Sequence, residues 1–335
     1  MAFLEDILSR AQAAPARVAF SEGEDATLMA AAVQAVQAGI ATPVLVGDAE
    51  KLQALAAERG YDPCTFEYVD VTDPELLDQV TERYLAQKTS PLGRKMLRSS
   101  LEDPLYLAMA LLGLGEVDVA FAGIIASTGD VIFAGQVMVG LKEGIETPSS
   151  VAFFELDGQG WGEDGLLAFG DSAVCVNPTD SELASIAVSC CDTVADLMGW
   201  QPRCALISHS TLGSATNELT EKVTSATRLA QEARPDLAID GEIQLDAALS
   251  PRVAERKVHR PSPVAGQANI VIWPNLDAGN IAVKCAQLFG QVNAYGPFLQ
   301  GFDRIVCDCP RGASVEELVG NIAVSVVRAQ AQEVS

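Results

Sequence analysis

The sequence predicts an α/β protein of two domains, and three observations carry that prediction. Short apolar runs alternate with longer stretches of helical periodicity, the order that builds parallel sheets covered on both faces. The chain has 335 residues, room for two domains at about 150 residues each. Near residue 150 the rhythm changes to two strands joined by a short glycine-bearing link, an antiparallel hairpin inside an otherwise alternating pattern.

Taken in order, Phe3, Leu4, Ile7, Leu8 and Ala11 share one helical face, so the chain opens on an amphipathic helix. Its early acids and the lack of a long apolar core are unlike a secretory signal. Arg17–Phe20 reads as the first strand, followed by Ser21-Glu22-Gly23-Glu24-Asp25. Ala26–Ala38 is alanine-rich and helical, and Gly39 closes it. Pro43–Gly47 is a strand, Asp48–Gly60 a helix, Phe66–Asp70 a strand, and Pro74–Leu114 mostly helical. Val117–Ala122 reads as a buried strand and Gly129–Gly140 as a helix. The hairpin pairs Val151–Leu156 with Gly165–Phe169 across 157–164, which holds Gly158, Gly160 and Gly162. Thr179 and Glu182 form a capping box that opens a helix to Met198. Arg203–Ser208, Ile270–Trp273 and Arg304–Cys307 read as strands. Asn217–Ala233, Gly279–Leu288 and Ser314–Ala329 read as helices.

Twenty-two basic residues against 45 acidic ones leave a net charge of −23. That excludes a basic stripe for nucleic acid and disfavours anionic membranes. Small anions must be held by local positive features. Eight cysteines occur without a Cys-x-x-Cys pair; the nearest neighbours are Cys190-Cys191 and Cys307-x-Cys309. They read as small apolar core residues in a reducing compartment. With His209 and His259 far apart, no metal site is expected. The most apolar stretch, Leu105–Ala126, is broken by Glu116 and Asp118, so a soluble cytoplasmic protein is expected.

Gly113-Leu114-Gly115 lacks a third glycine and follows a helix, so it is not a dinucleotide fingerprint. Neither a phosphate-binding Walker loop nor a Gly-x-Ser-x-Gly elbow occurs. The loop Ser208–Ser214 lies between a strand and a helix, where backbone N–H groups bind anions or merely cap the loop; the two alternatives are evenly matched. Asp240–Ala248 places Glu242 and Asp246 four apart on a helix face, an unfavourable like-charge pair that asks for compensation. Gly266, Asn269, Gly279 and Asn280 flank a buried strand and allow a ligand close to the backbone. Arg311, set between Pro310 and Gly312 before the last helix, suits a planar anion or a carbonyl oxygen. Glu317 pairs with Ser314 as a capping box, and also stands one turn past that arginine.

Together these segments resemble phosphotransacetylases, also called phosphate acetyltransferases, along nearly the whole chain. The likeness is strongest in Asp240-Gly-Glu-Ile-Gln-Leu-Asp-Ala-Ala248, Ser262-Pro-Val-Ala-Gly-Gln-Ala-Asn269, Asp277-Ala-Gly-Asn280 with Lys284, and Tyr295-Gly-Pro-Phe-Leu-Gln-Gly301. The resemblance implies two three-layer α/β/α domains with a cleft between them, the architecture of isocitrate and isopropylmalate dehydrogenases. It implies a first domain of residues 1–150 completed by 303–335, and a second of 151–302. It implies reversible conversion of acetyl-CoA and phosphate to acetyl phosphate and CoA, with coenzyme A as substrate, no bound cofactor or metal, and a homodimer. By the same resemblance Arg311 stabilises developing charge and Glu317 is the base. Ser208, Ser210, Thr211, Gly213 and Ser214, with Asn280 and Lys284, are substrate-binding candidates. The chain departs from the family pattern at Thr27, Phe133, Leu212 and Pro310, where basic or hydroxyl groups are usual; Lys88 survives from a basic segment. Three alternatives stay open: a CoA-binding relative without turnover, an acyltransferase for another acyl group, or a metal- and NAD-dependent dehydrogenase using Asp240, Glu242 and Asp246.

Overall fold

The computed structural model describes residues 2–156 and 160–334, so 157–159 of the hairpin link lie outside the described residues. The chain divides into two units: one runs to Gly140 and resumes at Phe302, the other is Leu141–Gly301. The boundary written from sequence rhythm, residue 150, falls inside a strand of the second unit.

The first unit opens with α1 (Ala2–Ala13), β1 (Ala16–Phe20), α2 (Ala26–Gln37), β2 (Ala41–Gly47), α3 (Ala49–Glu58) and β3 (Glu67–Asp70). Next come α4 (Pro74–Gln87), α5 (Arg94–Ser100), α6 (Pro104–Leu114), β4 (Val119–Ala122) and α7 (Thr128–Met138). The second unit holds β5 (Ser149–Glu155), β6 (Leu166–Gly170), α8 (Asp180–Met198), β7 (Arg203–Ile207), α9 (Glu218–Ala233) and β8 (Ala238–Ile243). It continues through α10 (Leu245–Leu249), α11 (Pro251–Lys257), β9 (Ile270–Ile272), α12 (Leu276–Gly290) and β10 (Ala294–Gln300). The chain then returns to the first unit with β11 (Ile305–Asp308) and α13 (Val315–Val334).

In the first unit the sheet order is β11-β4-β1-β2-β3, parallel throughout. Parallel strands with both faces covered need unbroken apolar runs, and Val18–Phe20 and Val119–Ala122 are fully buried. Aspartates start the helices: Asp25, Asp48, Asp73 and Asp103 each accept a first-turn N–H, and Pro74 and Pro104 stand in the first turn. The opening helix buries Phe3, Ile7 and Ala11 and packs on α13. Strand order reverses between β1 and β4, so the loops after these two strands flank the crevice where such sheets take ligands. Gly113 is a packing residue, since a Cβ there would lie 2.4 Å from the carbonyl of Met138.

In the second unit the order is β10-β5-β6-β9-β7-β8. Strand β5 is antiparallel to both neighbours, and the remaining pairs are parallel. The stacked rings of Phe154 and Phe169, with centroids 4.3 Å apart, and the edge of Trp273 fill its core. The Thr179–Glu182 capping box forms as expected. Strand β10 and helix α11 went unread in the sequence. Gly296 and Pro297 interrupt the alternation of β10, which the fold tolerates because β10 is an edge strand.

One element differs in kind. Glu242 lies on strand β8, and helix α10 begins only at Leu245, so Glu242 and Asp246 never share a helix face. The stretch Ile239–Ile243 pairs with β7, and this tertiary pairing overrides the local pattern. Cysteines 190, 191, 204, 307 and 309 are buried and none is cross-linked, whereas Cys64 and Cys285 are exposed, against the expectation that all are core residues. Among the described residues no helix is long and apolar enough to cross a membrane.

Candidate active site

In the first unit, the segment after β11 carries Arg311. Cys309 N–H extends the strand ladder to Ala122 O at 2.9 Å, and the chain then turns, with Ala313 N–H on Pro310 O at 3.1 Å. Gly312 makes the turn at φ 83°, a conformation that favours glycine. Arg311 is exposed, and among the described residues no carboxylate reaches it at ion-pair distance. Its charge is nevertheless felt by two acids. Burial pushes the Asp308 carboxyl up; the Thr128 hydroxyl, 2.7 Å away, and Arg311 pull it down. Hydrogen bonds from Ser127 hold Asp130 below the usual carboxylate range, with a smaller pull from Arg311. Asp308 Oδ1 is buried without a hydrogen-bond partner among the described residues.

Glu317 sits in the first turn of α13. Its Oε2 accepts the Ser314 N–H at 2.7 Å, and its own N–H donates to Ser314 Oγ at 3.2 Å. The capping box is therefore formed. Oε1 has no hydrogen bond among the described residues and the side chain is exposed.

In the second unit, β7 ends at Ile207 and α9 starts at Glu218, with Asn217 as N-cap. The Ser208–Ser214 loop therefore stands before the helix start rather than on it. Ser208, Ser210 and Thr211 are buried, whereas Gly213 and Ser214 are exposed. Ser210 Oγ donates to Glu242 Oε1 at 2.7 Å, and Gly213 N–H reaches the same oxygen at 2.9 Å. Thr211 Oγ1 donates to Gln244 Oε1 and accepts the Gln244 N–H at 3.1 Å. Ser214 Oγ accepts the Thr211 N–H at 3.0 Å. Much of the loop's donor capacity thus ends on the protein, chiefly on one buried carboxylate. Reading the sequence alone missed this role of Glu242, because its partners stand about thirty positions away; the Asp-Gly-Glu run beside a strand was the available signal.

The other acids of that run have partners of their own. Asp240 accepts two hydrogen bonds from Arg260, at 2.6 and 3.0 Å, and one from Ser262. Asp246 pairs with Lys257 at 2.7 Å. Among the described residues no cluster of His, Cys, Asp and Glu gathers as metal ligands, so the three acids do not form the cation site that the dehydrogenase alternative requires. Gly266 and Gly279 are filled by the chain itself: a Cβ would lie 2.8 Å from Pro251 Cα and 2.5 Å from Asp171 O. That replaces the expectation of ligand approach at these glycines. Asn269 is buried and joins Arg203 N–H, Gln201 O and Glu163, a structural tie. Asn280 and Lys284 are exposed on α12, with Lys284 near Gln287 at 3.5 Å. Phe133 is 57% exposed on α7, and Lys88 pairs with Asp303 at 3.4 Å.

A cavity of about 440 Å³ lies in the first unit at the ends of β1 and β2, lined by Glu22, Glu24, Asp103, Tyr106, Ile125 and Asp130 among others. Glu22 is buried there and accepts the N–H groups of Ile124 (2.8 Å) and Ala126 (2.7 Å). These two N–H groups of the loop after β4 are therefore satisfied by a side chain of the protein.

With this geometry in place, the chain can be set beside known proteins. Residues 2–326 match the model of the family described as phosphate acetyl/butaryl transferase. A phosphate acetyltransferase of Acetivibrio thermocellus is 36% identical over 330 residues, covering 98% of this chain and 99% of that protein. A phosphotransacetylase structure from Streptococcus pyogenes superposes with a TM-score of 0.87 at 30% identity, covering 99% of this chain and 98% of its own. A 4-hydroxythreonine-4-phosphate dehydrogenase from Klebsiella pneumoniae gives a TM-score of 0.51 at 13% identity over 95% of this chain and 99% of its own, a likeness of fold alone.

Proposed function

We infer that this chain, which belongs to the phosphate acetyl/butaryl transferase family, moves an acetyl group reversibly between coenzyme A and inorganic phosphate. The observation that carries the inference is similarity from end to end with proteins called phosphate acetyltransferases.

In the direction of acetyl-CoA synthesis, the CoA thiol gives its proton to Glu317. The thiolate sulfur bonds to the carbonyl carbon of acetyl phosphate, and the carbonyl oxygen takes up negative charge beside Arg311. The carbonyl re-forms as the carbon–oxygen bond to phosphate breaks, and phosphate leaves. A thiol with a pKa of about 8.5 needs a proton acceptor at neutral pH. A guanidinium at the developing oxyanion lowers the barrier most when no carboxylate already occupies it, and the lack of an ion-pair partner for Arg311 among the described residues supports that role. Glu317 Oε1 remains available while Oε2 holds the cap. On the phosphate side, the exposed Ser214 hydroxyl meets the ligand beside the open Gly213 backbone, while buried Ser208, Ser210 and Thr211 frame them. Asn280 and Lys284 contribute at the exposed face of α12.

We place the protein in the cytoplasm as a homodimer. Ile281, Leu288 and Phe289 on α12 are 61%, 71% and 83% exposed, an apolar surface of the kind that subunit contacts cover. A turnover assay tests the activity: acetyl phosphate and CoA are mixed with protein and thioester formation is followed by its ultraviolet absorbance. Turnover that disappears in Arg311→Ala supports the mechanism. A folded protein that binds CoA without turnover would sink it in favour of a binding role, and turnover confined to a longer acyl donor would change the acyl group.

A further inference from the structure

The Ser208–Ser214 loop is held in a shape that its own residues do not favour. Leu212 has φ 49°, in the left-handed region, and Gly213 follows at 87°. A residue with a Cβ stays there only where its surroundings hold it. Both N–H groups at this turn end on one residue: Leu212 donates to the backbone oxygen of Glu242 and Gly213 to its Oε1, each at 2.9 Å. The same Oε1 accepts Ser210 Oγ at 2.7 Å, and Oε2 lies 3.3 Å from Thr224 Oγ1.

Glu242 is 3% exposed. Among the described residues no Lys or Arg forms an ion pair with it; Arg260, which feels its charge, is bound to Asp240. A buried carboxylate without a counter-ion is costly unless hydrogen bonds compensate it. The loop supplies those bonds, so carboxylate and loop fix one another. The carboxylate itself lies behind the loop, while Gly213 and Ser214 face solvent.

We propose that Glu242 is a positioning residue for phosphate: by gripping the N–H groups of Leu212 and Gly213 it holds the left-handed turn and presents the Ser214 hydroxyl to the anion without touching it. The proposal rests on the reading that this loop takes phosphate.

Kinetics and amide hydrogen exchange on the full chain test it with Glu242→Ala, Glu242→Gln and the double variant Glu242→Ala with Leu212→Gly. Gln keeps an acceptor oxygen at the same reach, so the KM for phosphate stays within about threefold. Glu242→Ala raises that KM about tenfold or more, leaves the KM for acetyl-CoA within about twofold, and speeds exchange at Leu212 and Gly213. Glycine at 212 needs no holding, so the double variant recovers part of the lost phosphate affinity. A folded Glu242→Ala with unchanged phosphate KM overturns the proposal, as does an equal rise in both KM values, the mark of a merely structural role. If Glu242→Ala does not fold, Glu242→Asp, which withdraws the carboxylate by one methylene, takes its place under the same criteria. If the wild type does not turn over, the functional reading fails separately, and exchange with added inorganic phosphate decides. Further slowing of exchange at Leu212 and Gly213 on adding phosphate, in wild type and Glu242→Gln but not in Glu242→Ala, sustains the proposal; no added protection in wild type overturns it.

Discussion

The segment after β11 and the segment after β7 both follow parallel strands and both precede helices, yet they are built in opposite ways. Around Arg311 the chain makes one turn, exposes the guanidinium and enters α13 at once through a capping box. Around Ser210 a longer loop folds inward, buries three hydroxyl residues and closes on Glu242 before α9 begins. The difference separates two demands. In the proposed mechanism Arg311 meets developing charge, and among the described residues no carboxylate forms an ion pair with it. A group that must present shape is tied down by a carboxylate, because a buried acid enforces its own hydrogen bonds. Glu22 grips Ile124 and Ala126 in the same way in the first unit, but there the gripped loop runs straight into the Ser127–Asp130 cap of α7 and turns out the apolar side chain of Ile125.

The sharpest break of this comparison is Arg311→Ala. It is expected to lower kcat/KM by about 10²–10³-fold while the melting temperature stays within about 1 °C, because an exposed side chain is removed. A loss of stability matching the loss of activity would show that the segment is structural. Glu317→Gln comes next. Glutamine preserves the capping box, so stability holds while turnover falls about 10²-fold or more if the carboxylate accepts the thiol proton. Full activity in this variant would remove Glu317 from the mechanism and leave only its cap.

Ser210→Ala should behave in the reverse sense. It withdraws a donor from a buried carboxylate, which is expected to destabilise the second unit by about 1–3 kcal/mol in denaturant unfolding. A neutral result would mean that Glu242 does not depend on the loop. The smallest effect concerns Asp308, whose carboxyl is pushed up chiefly by burial. A folded-state pKa above the unfolded one means the folded state binds the proton more tightly, so stability is lost as pH rises from the unfolded value through the folded one. Asp308→Asn removes that loss. Its melting temperature relative to wild type should therefore be more favourable at about pH 7.5 than at about pH 3.5. A difference that does not change with pH would refute the burial argument.

Much of this was legible locally. Thr179 with Glu182 and Ser314 with Glu317 stand three residues apart, and each pair satisfies the N–H groups of one helix start, so the caps could be read before any packing was known. The buried runs Val18–Phe20 and Val119–Ala122 are strands because nothing in them can face water. Gly266 and Gly279 misled, since a glycine that admits a ligand and one that admits a neighbouring backbone look alike in sequence.

The amino-acid sequence by itself determined the α/β class, most of the elements with their caps, and the family likeness. Periodicity, capping and turn chemistry act within a few residues and need no partner. Tertiary structure alone decided that Glu242 lies on a strand and meets Ser210 across 32 positions of chain. It also decided that Arg260 answers Asp240, and that Arg311 forms no ion pair among the described residues. Those outcomes depend on which distant groups are buried together, and desolvation acts on a charge only once the fold has enclosed it.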